Sequence, residues 1–136
     1  MVTYTLAGGC FWCLDAVFRR LKGVRSSVCG YAGGTKDDAD YYRVASGQTG
    51  HAEAVQVTFD ENLLPADDLL DIFFLIHNPT TLNQQGADIG PQYRSAMFYA
   101  DEQQKTDFLR AVARAQSHWE DSVGTEVTPL DKFYEA

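Results

Sequence analysis

The chain is poor in positive charge: eleven Lys and Arg stand against nineteen Asp and Glu, for a formal net charge of −8. An acidic surface repels phosphate backbones and anionic bilayers, and no basic stripe interrupts it, so nucleic acid and membranes are excluded as partners. No stretch approaches the roughly 18 consecutive apolar residues of a membrane span. The opening Met1-Val2-Thr3-Tyr4-Thr5-Leu6 lacks the basic head and apolar run of a signal peptide, which predicts a cytoplasmic protein. Cysteine is scarce at three residues, an odd number that argues against a disulfide framework and for reactive thiols in a reducing compartment. No repeat, low-complexity run or linker divides the 136 residues, and with 45% hydrophobic content the expectation is one domain over 1–136. Nothing demands a partner chain, and a monomer is expected.

What is present alternates between strand and helix patterns. Val2 to Ala7 reads as a strand ending at Gly8-Gly9. Leu14, Val17, Phe18 and Leu21 then fall on one helical face, with Gly23 placed to close the helix. Val24 to Cys29 reads as a second strand. Gly30, Gly33, Gly34 and Asp37-Asp38 mark a long loop with a short helix at Tyr41 to Ala45. Val55, Val57 and Phe59 alternate with Gln56 and Thr58, the clearest strand of the chain. Pro65 opens a helix through Ile76 that is apolar around much of its circumference and is expected to be covered on most sides, and Asn78-Pro79 ends it. Thr80 to Gln92 has no apolar period yet is too long for a simple connector, which points to function. Ser95 to Tyr99 is a strand. Asp101 and Gln104 resemble a capping box before a helix in which Phe108, Val112, Ala115 and Trp119 share a face, and Val127 belongs to a last short strand. Strands and helices interleaved in this way suggest an α/β sandwich with one mixed sheet.

The candidate chemistry starts at Cys10-Phe11-Trp12-Cys13. A cysteine after two glycines at a helix start meets the positive end of the macrodipole and unpaired N–H groups, which favour its ionised form. The C-x-x-C spacing reads as a redox pair, half of a metal site, or coincidence. The metal reading is weak, because only Cys29 and three scattered histidines remain. Phe11 and Trp12 suit a wall for a small apolar group and equally suit an ordinary core. Glu53 enters the best strand where burial is expected, and a buried carboxyl without a cation has a raised pKa and can hold a proton at neutral pH. Gly86 to Ser95 brings an acid, Asp88, and a phenol, Tyr93, to the mouth of the following strand. His51 either supports Glu53 or caps and packs; His77 complements a helix end; Arg94 orients Asp88 or is solvated; His118 is surface, while Trp119 and Met97 pack.

Gly9-Cys10-Phe11-Trp12, Gly30-Tyr31-Ala32-Gly33-Gly34, Thr49-Gly50-His51-Ala52-Glu53, and Gln85-Gly86 with Asp88, Gly90 and Gln92-Tyr93-Arg94-Ser95 occur in an order and spacing that resemble the A-type peptide methionine sulfoxide reductases. The resemblance spans nearly the whole chain. It implies an α+β fold, a two-layer α/β sandwich built as a ferredoxin-like plait with a mixed sheet and peripheral helices and loops. It also implies an oxidoreductase without cofactor or metal that reduces the S epimer of methionine sulfoxide, free or in proteins. By that likeness Cys10 is the nucleophile that becomes a sulfenic acid and Glu53 the acid. Tyr41 and Tyr93 hold the sulfoxide oxygen with Asp88 in the same polar network, and Phe11 and Trp12 receive the substrate methyl. A thioredoxin-like reductant is the implied partner.

The sequence departs from the family in its recycling half. Many relatives carry glycine in place of Cys13 and resolving cysteines in a C-terminal tail, whereas here no cysteine follows Cys29 and the sequence stops at Ala136, where relatives continue. Resolution then falls to Cys13, Cys29 or an outside thiol. Residues i and i+3 of a helical turn have Cα atoms about 5 to 6 Å apart, within disulfide range, which favours Cys13. Cys29 reads as a small buried hydrophobe. A thioredoxin-like thiol–disulfide oxidoreductase would use the same Cys10/Cys13 pair without needing Glu53 or the tyrosines. A metal-binding module would need a histidine with the thiols, and a structural domain would need none of them.

Overall fold

The computed structural model describes residues 1–35 and 39–136; the expected loop positions Asp37 and Asp38 lie outside the described residues. In chain order the elements are β1 (Val2–Ala7), α1 (Phe11–Phe18), β2 (Val24–Ala32), α2 (Tyr41–Ala45), β3 (Ala52–Phe59), α3 (Ala66–Leu75), β4 (Gln84–Gln85), β5 (Asp88–Ile89), a 3₁₀ turn (Pro91–Tyr93), β6 (Ala96–Tyr99), α4 (Glu102–Gln116), β7 (Glu126–Pro129) and β8 (Phe133–Glu135). Six strands form one sheet in the order β7-β6-β1-β3-β2-β8. Its inner four, β6-β1-β3-β2, are antiparallel throughout, which with α1 and α3 as crossovers gives the ferredoxin-like plait. β7 adds to one edge in parallel with β6, and β8 adds to the other edge antiparallel to β2, so the sheet is mixed as expected.

The period of two along each strand sorts residues onto two faces. Tyr4, Leu6, Val55, Val57, Phe59 and Met97 point toward the helices and join Phe11, Leu14, Phe18, Leu69, Phe73 and Phe108 in the main core. Ala7, Ala32, Ala52, Ala54, Ala96 and Phe98 make a smaller cluster, capped by Leu130 and Phe133. Small alanines there let chain lie close to the sheet. Gly30 shows the same demand, since a Cβ would run into Phe133 and the Tyr134 carbonyl of β8.

Several element expectations need correction. α1 ends at Phe18, one turn short of Leu21; Leu21 N–H bonds Phe18 O and Val24 N–H bonds Leu21 O, and Gly23 (φ +102°) turns the chain into β2. β2 runs on past Cys29 to Ala32 because β3 pairs with it along its whole length. α3 is not covered on most sides. It buries Leu69, Leu70, Phe73 and Phe74, while Leu75 is 79% exposed and Asp67, Asp68 and Asp71 face solvent. The helix lies in the outer layer beside α4, whose Arg114 reaches Asp71 at 2.9 Å. α4 stops at Gln116, so Trp119 is not on its face but half-buried in the following turn. Asp101 caps α4 through Gln104 N–H, but the Gln104 side chain accepts from Ala100 N–H and donates to Thr3 O, tying α4 to β1. Thr80 to Gln92 holds the two-stranded β4-β5 hairpin and the 3₁₀ turn. β8 carries no apolar alternation of its own; it exists because the β2 edge receives it.

Phe108 is fully buried and meets the Tyr4 ring edge-on at 4.9 Å. Phe108→Ala is expected to cost about 3–5 kcal/mol of unfolding free energy, measured by urea denaturation, because transfer and cavity terms add.

Candidate active site

The turn between β1 and α1 is fixed by what presses on it. A Cβ at Gly8 would stand 2.8 Å from the His77 ring, and one at Gly9 (φ +88°) would stand 2.9 Å from the Gln85 side chain. Gly9 N–H bonds the Tyr93 carbonyl at 3.2 Å. The two glycines therefore let the chain pass between α3's end and the Gln85–Tyr93 segment. Cys10 follows as the N-cap residue of α1, half-buried, with extended backbone (φ −63°, ψ 124°) and no capping bond from its side chain. Its carbonyl accepts from Cys13 N–H and Leu14 N–H, at 3.1 and 3.3 Å, so the thiol sits at the mouth of the first turn without a capping duty.

The alternation of β3 places Glu53 on the same face as Val55, Val57 and Phe59, under the N-terminus of α1. It is 4% exposed, and its Oε1 accepts from Phe11 N–H at 3.1 Å. Burial pushes the Glu53 carboxyl above the ordinary carboxylate range; the Phe11 hydrogen bond opposes this and the Asp88 charge adds to it. Opposite Glu53 in the β2–β3 register stands Tyr31, which sequence reasoning quoted only within a motif. Burial, then the Glu53 and Asp40 charges, push the Tyr31 phenol up to about 12.

Tyr41 opens α2, where Asp40 caps the helix by accepting from Arg43 N–H. The Tyr41 ring stacks with Trp12 at 6.3 Å and 18° between planes. Phe11 and Trp12 divide the two readings between them: Phe11 is 2% exposed and belongs to the core, whereas Trp12 is 63% exposed. Tyr93 is half-buried in the 3₁₀ turn, and its phenol is raised first by burial and then by Glu53, Asp88, Tyr41 and Cys10, which places all four in one electrostatic neighbourhood. Asp88 itself is exposed on β5.

The three thiols are free and differ in setting. Cys13 is exposed on the first turn of α1; what burial it has raises its thiol, and the Cys10, Asp88 and Glu53 charges raise it further. Cys29 donates weakly to Phe11 O at 3.6 Å, and burial, then Asp15, push it up to about 11.

Supporting residues differ from their sequence readings. His77 does not complement a helix end with positive charge. Its Nδ1–H donates to Phe73 O at 2.6 Å and its Nε2 accepts from Ser95 Oγ at 2.8 Å, and burial lowers its pKa to about 4, so the ring is neutral. His51 does not reach Glu53. Its Nδ1 accepts from Gly34 N–H and its Nε2–H donates to Thr35 O, closing the glycine loop after β2. Arg94 does not orient Asp88 and is not simply solvated; it donates to Pro91 O and Gly50 O and pairs with Glu126 at 3.1 Å. Gln85, which grips Asn78 at both N–H and C=O, and His77 were missed as parts of the site. Adjacent glycines announce a close neighbour but not which one. Among the described residues no group of three or more His, Cys, Asp or Glu is arranged to hold a metal, and no helix is long and apolar enough to cross a membrane.

Comparison with known proteins supplies the context for this geometry. The family model described as peptide methionine sulfoxide reductase matches residues 2–136. A curated relative from Paenarthrobacter aurescens (strain TC1), "Peptide methionine sulfoxide reductase MsrA", is 55% identical over 136 residues, covering 100% of this chain and 78% of the relative. The crystal structure of reduced Mxr1 from Saccharomyces cerevisiae superposes with a TM-score of 0.94 at 33% identity, over 99% of this chain and 79% of that one. Mxr1 in complex with Trx2 gives a TM-score of 0.74 at 26% identity, over 99% of this chain and 80% of that one.

The buried neutral His77 makes stability depend on pH. The unfolded chain binds its proton near 6.5 and the folded chain only near 4, so unfolding takes up a proton throughout that window. Stability is expected to fall by roughly 3 kcal/mol as pH drops from 6.5 to 4, measured by urea denaturation, and this part of the slope is expected to vanish in His77→Gln. Gly9→Ala is expected to lose at least about 1 kcal/mol from the positive φ alone, with the added methyl also displacing Gln85.

Proposed function

The chain belongs to the peptide methionine sulfoxide reductase family and reduces methionine sulfoxide, and on that premise we propose that it acts on the S epimer, free or in proteins, through a sulfenic acid on Cys10. The observation that carries this reading is the Phe11 N–H to Glu53 bond, which holds a buried carboxyl beside the residue that follows the thiol. A sulfoxide sulfur is a poor electrophile until its oxygen is protonated or strongly hydrogen-bonded, so a nucleophile, an acid and oxygen donors must converge.

In the proposed sequence the sulfoxide oxygen lies among Glu53, Tyr41 and Tyr93, with its methyl against Phe11 and Trp12. Glu53, with Oε1 occupied by Phe11 N–H, offers its proton from Oε2. The raised Tyr93 phenol stays protonated and donates to the same oxygen. Cys10 thiolate attacks sulfur, the S–O bond breaks, methionine leaves, and the oxygen ends on Cys10 as a sulfenic acid. Asp88 acts at a distance, its charge favouring the protonated form of Glu53.

The recycling half follows from the thiol settings. Cys13 attacks the sulfenic sulfur, expelling water and forming a Cys10–Cys13 disulfide, and a thioredoxin-like dithiol then returns two electrons. Exposure of Cys13 supports access by a reductant, and the Mxr1–Trx2 complex shows that a related fold accepts a thioredoxin. The thiol–disulfide oxidoreductase alternative leaves the buried Glu53 and the converging phenols without a task.

Cys10→Ser is expected to abolish reduction of methionine S-sulfoxide with dithiothreitol, while the R epimer is untouched by the parent. Glu53→Gln is expected to slow kcat about 10²- to 10⁴-fold. The parental rate should decline at alkaline pH as Glu53 loses its proton, and that limb should be absent from the Glu53→Gln profile; full activity in Glu53→Gln would remove the acid assignment. Cys13→Ser should complete one turnover, leaving a sulfenic acid visible as a 16 Da mass gain, and then stall with thioredoxin. Turnover at the parental rate would take Cys13 out of the recycling step.

A further inference from the structure

A hollow of about 550 Å³ shares Phe11, Trp12 and Tyr41 with the reaction site but has neither Cys10 nor Glu53 in its walls. Tyr31 completes an aromatic lining, and Asp40 and Glu135 stand at its polar side. The rings form a continuous surface: Phe11 lies 5.6 Å from both Trp12 and Tyr31, and Trp12 stacks on Tyr41. Asp40 shares its charge with Arg43 at 3.3 Å, and Glu135, exposed at the end of β8, has no ion-pair partner among the described residues.

Aromatic faces carry negative potential, and carboxylates at the side of the hollow add to it, within a protein whose formal net charge is −8. An anion is repelled there, and a neutral polar group gains little from ring faces. The chemistry that satisfies both parts is a cation on an apolar stem, with methylenes laid along the exposed Trp12 and Tyr41 rings, above the buried Phe11 and Tyr31, and charge set toward Asp40 and Glu135. A residue adjacent to or one removed from a bound methionine sulfoxide lies about 3.5–7 Å along an extended peptide, and Phe11, Trp12 and Tyr41 are common to the hollow and the reaction site.

We propose that this hollow is a subsite for the side chain of a lysine or arginine flanking the oxidised methionine in a peptide substrate. The proposal rests on the reduction of methionine sulfoxide described above and adds to it a preference among peptide substrates. Steady-state reduction, with dithiothreitol as reductant, of blocked five-residue peptides with central methionine S-sulfoxide tests it. Lysine, norleucine or glutamate is placed in turn at each of the two positions on either side, the remaining positions being alanine.

At one position lysine is expected to exceed norleucine by about three- to tenfold in kcat/KM, with the difference in KM, and glutamate is expected to be poorest. In Glu135→Gln, and in Asp40→Asn, whose amide oxygen still accepts from Arg43 N–H, the lysine-to-norleucine ratio should fall toward one. Equal rates for lysine and norleucine at every position, or a lysine preference unchanged in both variants, would overturn the subsite. N-acetyl methionine sulfoxide, which has no flanking side chain, reports the reaction itself. Failure to reduce that compound counts against the activity, whereas its reduction without lysine preference counts against the subsite alone.

Discussion

The hydrogen bond from Phe11 N–H to Glu53 Oε1 joins the two elements on which the site depends, the N-terminus of α1 and the helix-facing side of β3. An N-terminal helical N–H needs an acceptor, and a buried carboxyl needs a donor; each satisfies the other. The bond favours ionised Glu53, and burial outweighs it. A carboxyl held in place by a donor and yet kept in its acid form is suited to releasing a proton only when a base appears in front of it. In the proposed mechanism that base is the oxygen of a sulfoxide under attack by Cys10, the residue before Phe11.

The rest of the fold serves to hold the short turn that carries Cys10. His77 presses on Gly8, Gln85 on Gly9, and Tyr93 O takes the Gly9 N–H. His77 is in turn fixed through Ser95 Oγ, which also meets Thr125 Oγ1 at 2.8 Å. Arg94 ties the segment before β6 to Gly50, beside the entry to β3. Within the polar segment from Thr80 to Gln92, Gln85 reaches this turn, resting on Gly9 and bonding Asn78 N–H. The two other thiols differ in setting: Cys13 is open to solvent, while Cys29 is half-buried and donates to the Phe11 carbonyl.

Much of this was legible along the chain. Val2–Ala7 and Tyr41–Ala45 match their sequence bounds, and the strict alternation at Val55, Val57 and Phe59 found a central strand. Extending that alternation backward two residues also puts Glu53 on the covered face. The errors have a common source in contacts between distant segments. α3 looked apolar around much of its circumference because Ile72 and Ile76 add to Leu69, Leu70, Phe73 and Phe74, yet Leu75 and three aspartates face solvent. β8 and the far end of β2 are strands because they pair with something, and Trp119 follows a helix that ends before it. His51, His77 and Arg94 were read against their nearest neighbours in sequence, whereas their partners come from the glycine loop, β6's approach and the entry to β3.

The sequence by itself determined the periodicities, the glycine pair before Cys10, the C-x-x-C spacing and the four motifs whose order marks the family, because each is a local property of residue type and interval. Only the tertiary structure decided that Glu53 lies beneath α1, that Cys13 is exposed while Cys29 hydrogen-bonds the Phe11 carbonyl, that Trp12 is open while Phe11 is buried, and that Tyr31, Tyr41 and Glu135 gather around one hollow. Those facts depend on sheet order and strand register. Strands distant in sequence become neighbours only when their apolar faces are buried together, and no interval along the chain records which faces will meet.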